Sequence, residues 1–286
     1  MTILWPESLK DAIARRRAVI VIGSGASANS ATDDGDRPPT WGIFLKDAYN
    51  NLPRKKTYIK RALDRYEYLE ACGYLKDEYG NEWDRLVRRV FMTPNYRPAE
   101  IHRAIFNLDC RVILSLNFDR IYEKYAHTQS EGTVIVKNYH DDDIRQVVAG
   151  SGRYILKPHG SVETINNIIF TAEDYASARV EHAKFYEMIT ALLHTHTFLF
   201  VGCGLSDPDM RLILEDYRYK HSEFPHYITL PAPVADAEVS LIRRSRGLNV
   251  LKYSKKDNHS ELTRSLLELG AEMLDRRLTI AREQDW

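Results

Sequence analysis

Residues 18–28 read AVIVIGSGASA, five apolar residues running without a polar break into Gly23-Ser24-Gly25-Ala26-Ser27-Ala28. A short run that is apolar at every position predicts a strand covered on both faces, as in a parallel α/β sheet. The glycines behind it match the G-x-G-x-x-A form of a dinucleotide-binding turn, in which backbone N–H groups approach a pyrophosphate. Alone the match is weak, because a glycine turn after a buried strand has the same spelling. An ordinary dinucleotide fold also places a second strand and an acidic residue about twenty positions further on. Here the acidic residues of the polar loop 33–39 (DDGDRPP) come too early and no second strand follows.

Working outward, similar runs recur at 111–115 (RVILS), 133–137 (TVIVK), 153–157 (RYILK), 197–201 (TFLFV), 226–230 (HYITL) and 249–252 (NVLK). Helical patterns at 99–106, 118–126, 180–193, 209–220, 235–245 and 260–277 separate most of them. The alternation predicts an α/β class, Rossmann-like doubly wound parallel sheet. One region breaks it: between 41 and 106, residues such as Leu45, Ala48, Ala62, Leu63, Leu86, Val87 and Val90 recur at helical spacing without a strand. The expected organisation is a single domain, 1–286, with core segments 18–40 and 107–256, a helical insertion at 41–106 after the first strand and a C-terminal helix at 257–286.

The 286 residues carry 40 Lys+Arg against 40 Asp+Glu, and 44% are hydrophobic. That balance excludes a generic polyanion binder, whose affinity comes from clustered cations, so no direct nucleic-acid contact is expected. Cys72, Cys110 and Cys203 are too scattered for a zinc ribbon or a secreted disulfide framework, which points to a reducing compartment. The N-terminus places Pro6, Glu7, Lys10, Asp11 and three arginines before a five-residue apolar run, the wrong order for a signal peptide and too short a run for a membrane span. A cytoplasmic chain without membrane attachment is expected.

Three further segments carry candidate chemistry, each at the end of an expected strand. Leu114-Ser115-Leu116-Asn117-Phe118-Asp119 sets an amide and a carboxylate around an aromatic ring; helix capping accounts for one of the two polar groups but not both. Lys157-Pro158-His159-Gly160-Ser161 holds one of ten histidines between a stiffening proline and a permissive glycine. Gly202-Cys203-Gly204-Leu205-Ser206-Asp207-Pro208-Asp209 ends in a conventional helix start, with Ser206 or Asp207 as cap, yet capping leaves its two glycines unexplained. Other clusters read as structural. His140-Asp141-Asp142-Asp143 is a hydrated acidic loop rather than a metal site, His194 and His196 suit a helix C-terminus, and Arg15 to Arg17 suit a solvated helix end or an assembly contact.

Taken in order, with the helical insertion after the first, the four segments resemble the sirtuin fold, and more closely the compact, zinc-free sirtuin-like domains of bacterial anti-phage defence systems. The resemblance implies that Gly23, Gly25, Ala26 and Ser27 hold the phosphates of NAD. It places Asn117 and Asp119 beside the nicotinamide ribose and carboxamide, His159 as general base, and Gly202, Gly204 and Ser206 at the adenosine end. Two departures separate the chain from deacylating sirtuins: it has no Cys-x-x-Cys pair for a structural zinc, and Asp36-Arg37-Pro38-Pro39-Thr40-Trp41 stands where they carry Gly-Ile-Pro-Asp-Phe-Arg. Cleavage of NAD, releasing nicotinamide and leaving ADP-ribose or a cyclised product, is therefore the favoured activity, with NAD as substrate and no metal or zinc. A non-catalytic NAD or ADP-ribose sensor is the alternative, and a protein deacylase is less favoured. Because unregulated NAD cleavage is toxic, the resemblance also implies a homo-oligomer, or a separately encoded partner such as a HerA-like ATPase, and an abortive-infection role through NAD depletion.

Overall fold

The computed structural model describes residues 2–205, 207–220 and 225–283. The expected strands are β1 (Ala18–Ile22), β2 (Val112–Ser115), β3 (Ile135–Asn138), β4 (Tyr154–Lys157), β5 (Thr197–Val201), β6 (His226–Ala232) and β7 (Leu248–Ser254). They form one parallel sheet in the order β3-β4-β2-β1-β5-β6-β7. With β3 set aside, the order is the doubly wound 3-2-1-4-5-6 pattern, whose ligand crevice lies outside the strand ends where the winding reverses. That point falls between β1 and β5. Ile22, the last residue of β1, is level with Ser115 of β2 and Val201 of β5, so the three following loops emerge side by side.

Alternation along β1 explains the two layers. Ala18, Ile20 and Ile22 face a core built with Leu9 and Ile13 of α1 (Glu7–Ala14), which precedes β1. After the single turn α2 (Ser24–Ser27) come α3 (Trp41–Asn50), α4 (Thr57–Asp64), α5 (Tyr68–Tyr79) and α6 (Trp83–Phe91), the strandless region. Next is α7 (Glu100–Asn107), which packs on the sheet through Ile101, Ala104 and Ile105, as does α8 (Ile121–Gln129) through Tyr122 and Ala126. Val19 and Val21 face the opposite layer, formed by α9 (Arg145–Ala149) and, after α10 (Ala172–Glu181), by α11 (Ala183–Thr195), α12 (Pro208–Lys220) and α13 (Asp236–Arg246). The chain closes with α14 (Lys256–Glu283), kinked where Asp257, Asn258 and His259 adopt positive φ. Its Arg277 donates to the carbonyls of Ile13 and Leu108, satisfying the ends of α1 and α7 together.

Helices α3 to α6 build a separate core around Phe44, Leu75, Trp83 and Val87, closed by Val162, Ile168 and Phe170 from the segment after β4. This packing sets the insertion beside the carboxyl edge of the sheet. Three local departures from the sequence reading have physical causes. The helix expected at 180–193 is two helices, broken at His182, and the first begins earlier at a capping box between Thr171 and Asp174. Helix α8 starts at Ile121 rather than 118, because Asp119 holds the preceding residues in a loop by accepting the Ile121 N–H. Strand β3 is not covered on both faces: it lies at the sheet edge with Ile135 and Val136 exposed.

His226, at the start of β6, is fully buried; its Nδ1 accepts the Phe198 N–H at 3.1 Å, and its Nε2 has no hydrogen-bond partner among the described residues. Burial pushes its pKa down to about 4. The unfolded chain therefore takes up a proton near pH 6.5 that the folded chain refuses, so this group's contribution, about 3 kcal/mol, is complete above pH 6.5 and is lost as pH falls toward 4. His226→Asn retains an acceptor and cannot titrate. Urea unfolding at pH 7.5 and 5.0 is expected to show a smaller acid loss in the variant than in the parent; equal losses would remove His226 as the cause.

Candidate active site

A cavity of about 400 Å³ opens at the carboxyl ends of β1, β2, β4 and β5, within the size range of small-molecule sites. One side is aromatic: Trp41 stacks on Phe170 with centroids 5.6 Å apart, and Phe118 meets Trp41 edge-on at 5.4 Å. The other side is polar and brings together Ser27, Asn117, Asp119, His159, Tyr175 and Asp207 from five separate stretches of chain. Gly23 and Gly204 also line the cavity.

The glycines bring the loops after β1 and β5 into close backbone contact. A Cβ on Gly23 would come 2.6 Å from the Gly202 carbonyl oxygen, and one on Gly25 2.9 Å from the Gly202 Cα. Gly202 itself has φ +66°, and a Cβ there would stand 2.6 Å from the Ala26 nitrogen. The loops after β1 and β5 thus press backbone against backbone, tied by Gly25 N–H to the Gly202 carbonyl at 3.0 Å and Gly23 N–H to the Val201 carbonyl at 3.1 Å. Ala26 is buried and its N–H bonds the Gly23 carbonyl. Gly25, Ala26 and Gly202 do not line this cavity; they lie where the two loops meet, directly behind Gly23 and Gly204. Ser206 lies outside the described residues.

Asn117, Ser27 and Asp119 form one buried chain of hydrogen bonds. Asn117 Nδ2 donates to the Gly23 carbonyl at 3.0 Å and to Ser27 Oγ at 2.9 Å, and Ser27 Oγ donates to Asp119 Oδ2 at 2.8 Å. Asp119 Oδ1 accepts the Ile121 N–H at the start of α8, so the carboxylate is a helix-start acceptor and a site group at once. Beneath it, buried Lys157 donates to the Asp119 carbonyl and to Glu123 Oε1, both at 2.7 Å. Burial pushes the Glu123 carboxyl up, opposed by Lys157.

His159 is buried on a loop that only glycine can complete: Gly160 has φ +76°, and a Cβ there would overlap the Asn167 carbonyl oxygen. The imidazole Nδ1 lies 3.1 Å from the Leu116 carbonyl oxygen. Its Nε2 lies 3.0 Å from Asp207 Oδ2 and 3.3 Å from the Tyr175 hydroxyl, which itself donates to Asp207 Oδ2 at 3.0 Å. Burial alone pulls the imidazole down, but the Asp207 carboxylate and the acceptors at both ring nitrogens outweigh it and hold the protonated form above the usual histidine range. Burial likewise pushes Asp207 up, yet His159 and the donors around it hold the carboxyl below its ordinary value.

The sequence reading assigned Asp207 to capping, and Asp207 Oδ1 does accept the Met210 N–H at 2.8 Å, but its other oxygen is the partner of His159. Tyr175, Lys157, Glu123 and Trp41 were not singled out. The sequence carries a signal for Lys157: a lysine closing an apolar strand, directly before the site proline and histidine.

With this geometry in place, a SIR2-like domain model matches residues 111–251, a span that holds Asn117, Asp119, His159 and Asp207. Residues 111–251 are thus similar to a SIR2-like domain. The chain is 24% identical over 227 residues to a protein named NAD(+) hydrolase ThsA from Enterococcus faecium, covering 76% of this chain and 44% of that protein. It is 25% identical over 161 residues to NAD(+) hydrolase ThsA from Acinetobacter baumannii, covering 55% and 33%. Defense-associated sirtuin 2 from Bacillus subtilis is 22% identical over 247 residues, covering 82% and 23%. The chain therefore spans less than half the length of each of these relatives. The SIR2-like match begins just before β2 and leaves the glycine turn after β1 outside it, so the turn's place in the site rests on its packing against Gly202. Among the described residues no helix is long and apolar enough to cross a membrane, and no group of three or more His, Cys, Asp or Glu is placed to hold a metal ion.

Proposed function

We propose that this chain hydrolyses NAD+ to nicotinamide and ADP-ribose as the effector of an anti-phage defence system. The observation that carries the reading is the convergence of Asn117, Asp119 and His159 on one cavity at the point where the sheet reverses its winding. The names of the relatives, NAD(+) hydrolase and defense-associated sirtuin, support it. In this reading the nicotinamide ribose enters between the aromatic side and the polar side, and the diphosphate runs out along Gly23, Ser24 and Gly204. The bond from C1′ of the ribose to the pyridinium nitrogen breaks, nicotinamide leaves neutral, and a water adds to the oxocarbenium-like carbon and gives up a proton. Asp119 orients the carboxamide, the amide of Asn117 holds the ribose or the water, and His159 accepts the proton. The remaining expectations belong here too: Gly25, Ala26 and Ser27 serve the NAD phosphates, Gly202, Gly204 and Ser206 serve the adenosine end, and the protein works in the cytoplasm. It assembles with copies of itself or a separately encoded partner such as a HerA-like ATPase, and depletes NAD to abort infection.

Nicotinamide release from NAD, followed across protein concentration, tests this. Asn117→Ala and His159→Ala are each expected to lower turnover at least about 100-fold while NAD affinity changes less than about tenfold. Parent-like turnover in both variants overturns the assignment. The second reading, a sensor that binds NAD without cleaving it, is favoured by one observation: both ring nitrogens of His159 are already occupied. NAD binding without product in every assembly state would select it.

A further inference from the structure

A histidine whose two nitrogens both face acceptors is proton-loaded and cannot act as a base. Nδ1 of His159 faces the Leu116 carbonyl, which accepts but has nothing to donate, so Nδ1 carries hydrogen in either charge state. The availability of Nε2 is then decided by Asp207 and Tyr175. Asp207 is fixed from two sides: its Oδ1 holds the first turn of α12 through the Met210 N–H, and its Oδ2 takes both the imidazole and the phenol. It sits two residues beyond Leu205, a non-glycine residue with φ +54°, on a stretch that lines the same cavity.

We propose that Asp207 is a positioning residue that keeps His159 loaded with its proton in the free protein, and that a ligand hydroxyl entering at Nε2 must displace the Asp207 carboxylate before His159 can accept a proton. This deepens the hydrolase reading and rests on it for the identity of the ligand; the pairing itself rests on the geometry alone. The proton balance is closed: on displacement the Nε2 proton leaves to solvent, and the vacated nitrogen later takes the proton released by the attacking water.

The groups facing the imidazole define the test. Asp207 faces it from the start of α12 and Tyr175 from α10; Asp209, the next acid along, is paired with Arg179 at 2.6 Å, and Phe118 contributes only a ring. Lys157 turns away to Glu123. Asp207→Asn keeps an oxygen able to hold the α12 turn but removes the charge that retains the proton. Tyr175→Phe removes a hydrogen bond to Asp207 and leaves its carboxylate more basic toward His159. The two variants should therefore move His159 in opposite directions.

The measurement is imidazole nitrogen NMR of the folded full chain across pH 5–9, with nicotinamide release from NAD across the same range. Asp207→Asn is expected to bring the His159 titration down by about one pH unit or more, and to move the acid limb of the turnover profile down with it. Tyr175→Phe is expected to move both upward. Unchanged titration in Asp207→Asn, or shifts of the same sign in the two variants, overturns the proposal. If the parent releases no nicotinamide, the hydrolase reading fails, while the NMR titration still decides whether Asp207 controls the His159 proton.

Discussion

Lys157→Met is expected to destabilise the protein by about 3–5 kcal/mol, a large share of the about 5–15 kcal/mol that holds an ordinary domain folded. Lys157 and Glu123 are almost wholly buried, with relative exposures of 1% and 4%. Their 2.7 Å contact compensates the removal of both charges from water, and among the described residues the second oxygen of Glu123 has no hydrogen-bond partner. Removing the lysine leaves a carboxylate in the interior with nothing opposite it, and strips the Asp119 carbonyl of its donor. Breaking such a pair costs far more than replacing it whole. Lys157→Met with Glu123→Leu should therefore recover most of the loss in urea unfolding at pH 7.5. If the double variant is as unstable as the single one, an uncompensated charge is not the cause. The pair lies directly under Asp119, so the recovered double variant also measures what the lysine contributes to the site apart from stability.

Gly202→Ala ranks second. A non-glycine residue at positive φ costs about 1–2 kcal/mol, and forcing an extra carbon into a packed interior typically about 1–3 kcal/mol more. The obstacle at Gly202 is backbone, the nitrogen of Ala26 at 2.6 Å and the carbonyl carbon of Gly25 at 2.9 Å, so no rotamer change relieves it. The expected loss is about 2–5 kcal/mol. Gly35→Ala provides the control: φ there is +91° and nothing lies within 4 Å of the added carbon, so only the conformational part of the cost applies. Similar unfolding midpoints for the two variants would mean that the contact between the loops carries no weight.

The strands were legible because burial on both faces leaves an unbroken apolar run, and the sheet order follows the doubly wound rule once the strands are assigned. Strand β3 read like the others, since the VIV of residues 134–136, where it begins, is spelled like a buried strand and only the order of the sheet reveals an edge. Asn117, Asp119 and His159 could be singled out because each is a polar residue immediately after such a run. Asp207 and Tyr175 could not. Asp207 has a sufficient local explanation as a helix cap, and Tyr175 lies in a helix where aromatic residues ordinarily face a core; their meeting at His159 depends on the packing of α10 against the start of α12, which no local pattern encodes. The spacing of the glycines marks close approach, but a sequence does not reveal that Gly23 and Gly25 press against Gly202 in the loop after β5.

The mutual packing of the two glycine loops also shapes how this site can change over generations. In most interiors an enlarged side chain is rescued by trimming a neighbour. At Gly25 and Gly202 the nearest neighbours are all backbone atoms, and at Gly23 the nearest is the Gly202 carbonyl oxygen, which no codon change can make smaller. A lineage that loses one of these glycines has few second-site suppressors within reach, whereas Ile135 and Val136, exposed on the edge strand and outside the cavity lining, are free to diverge.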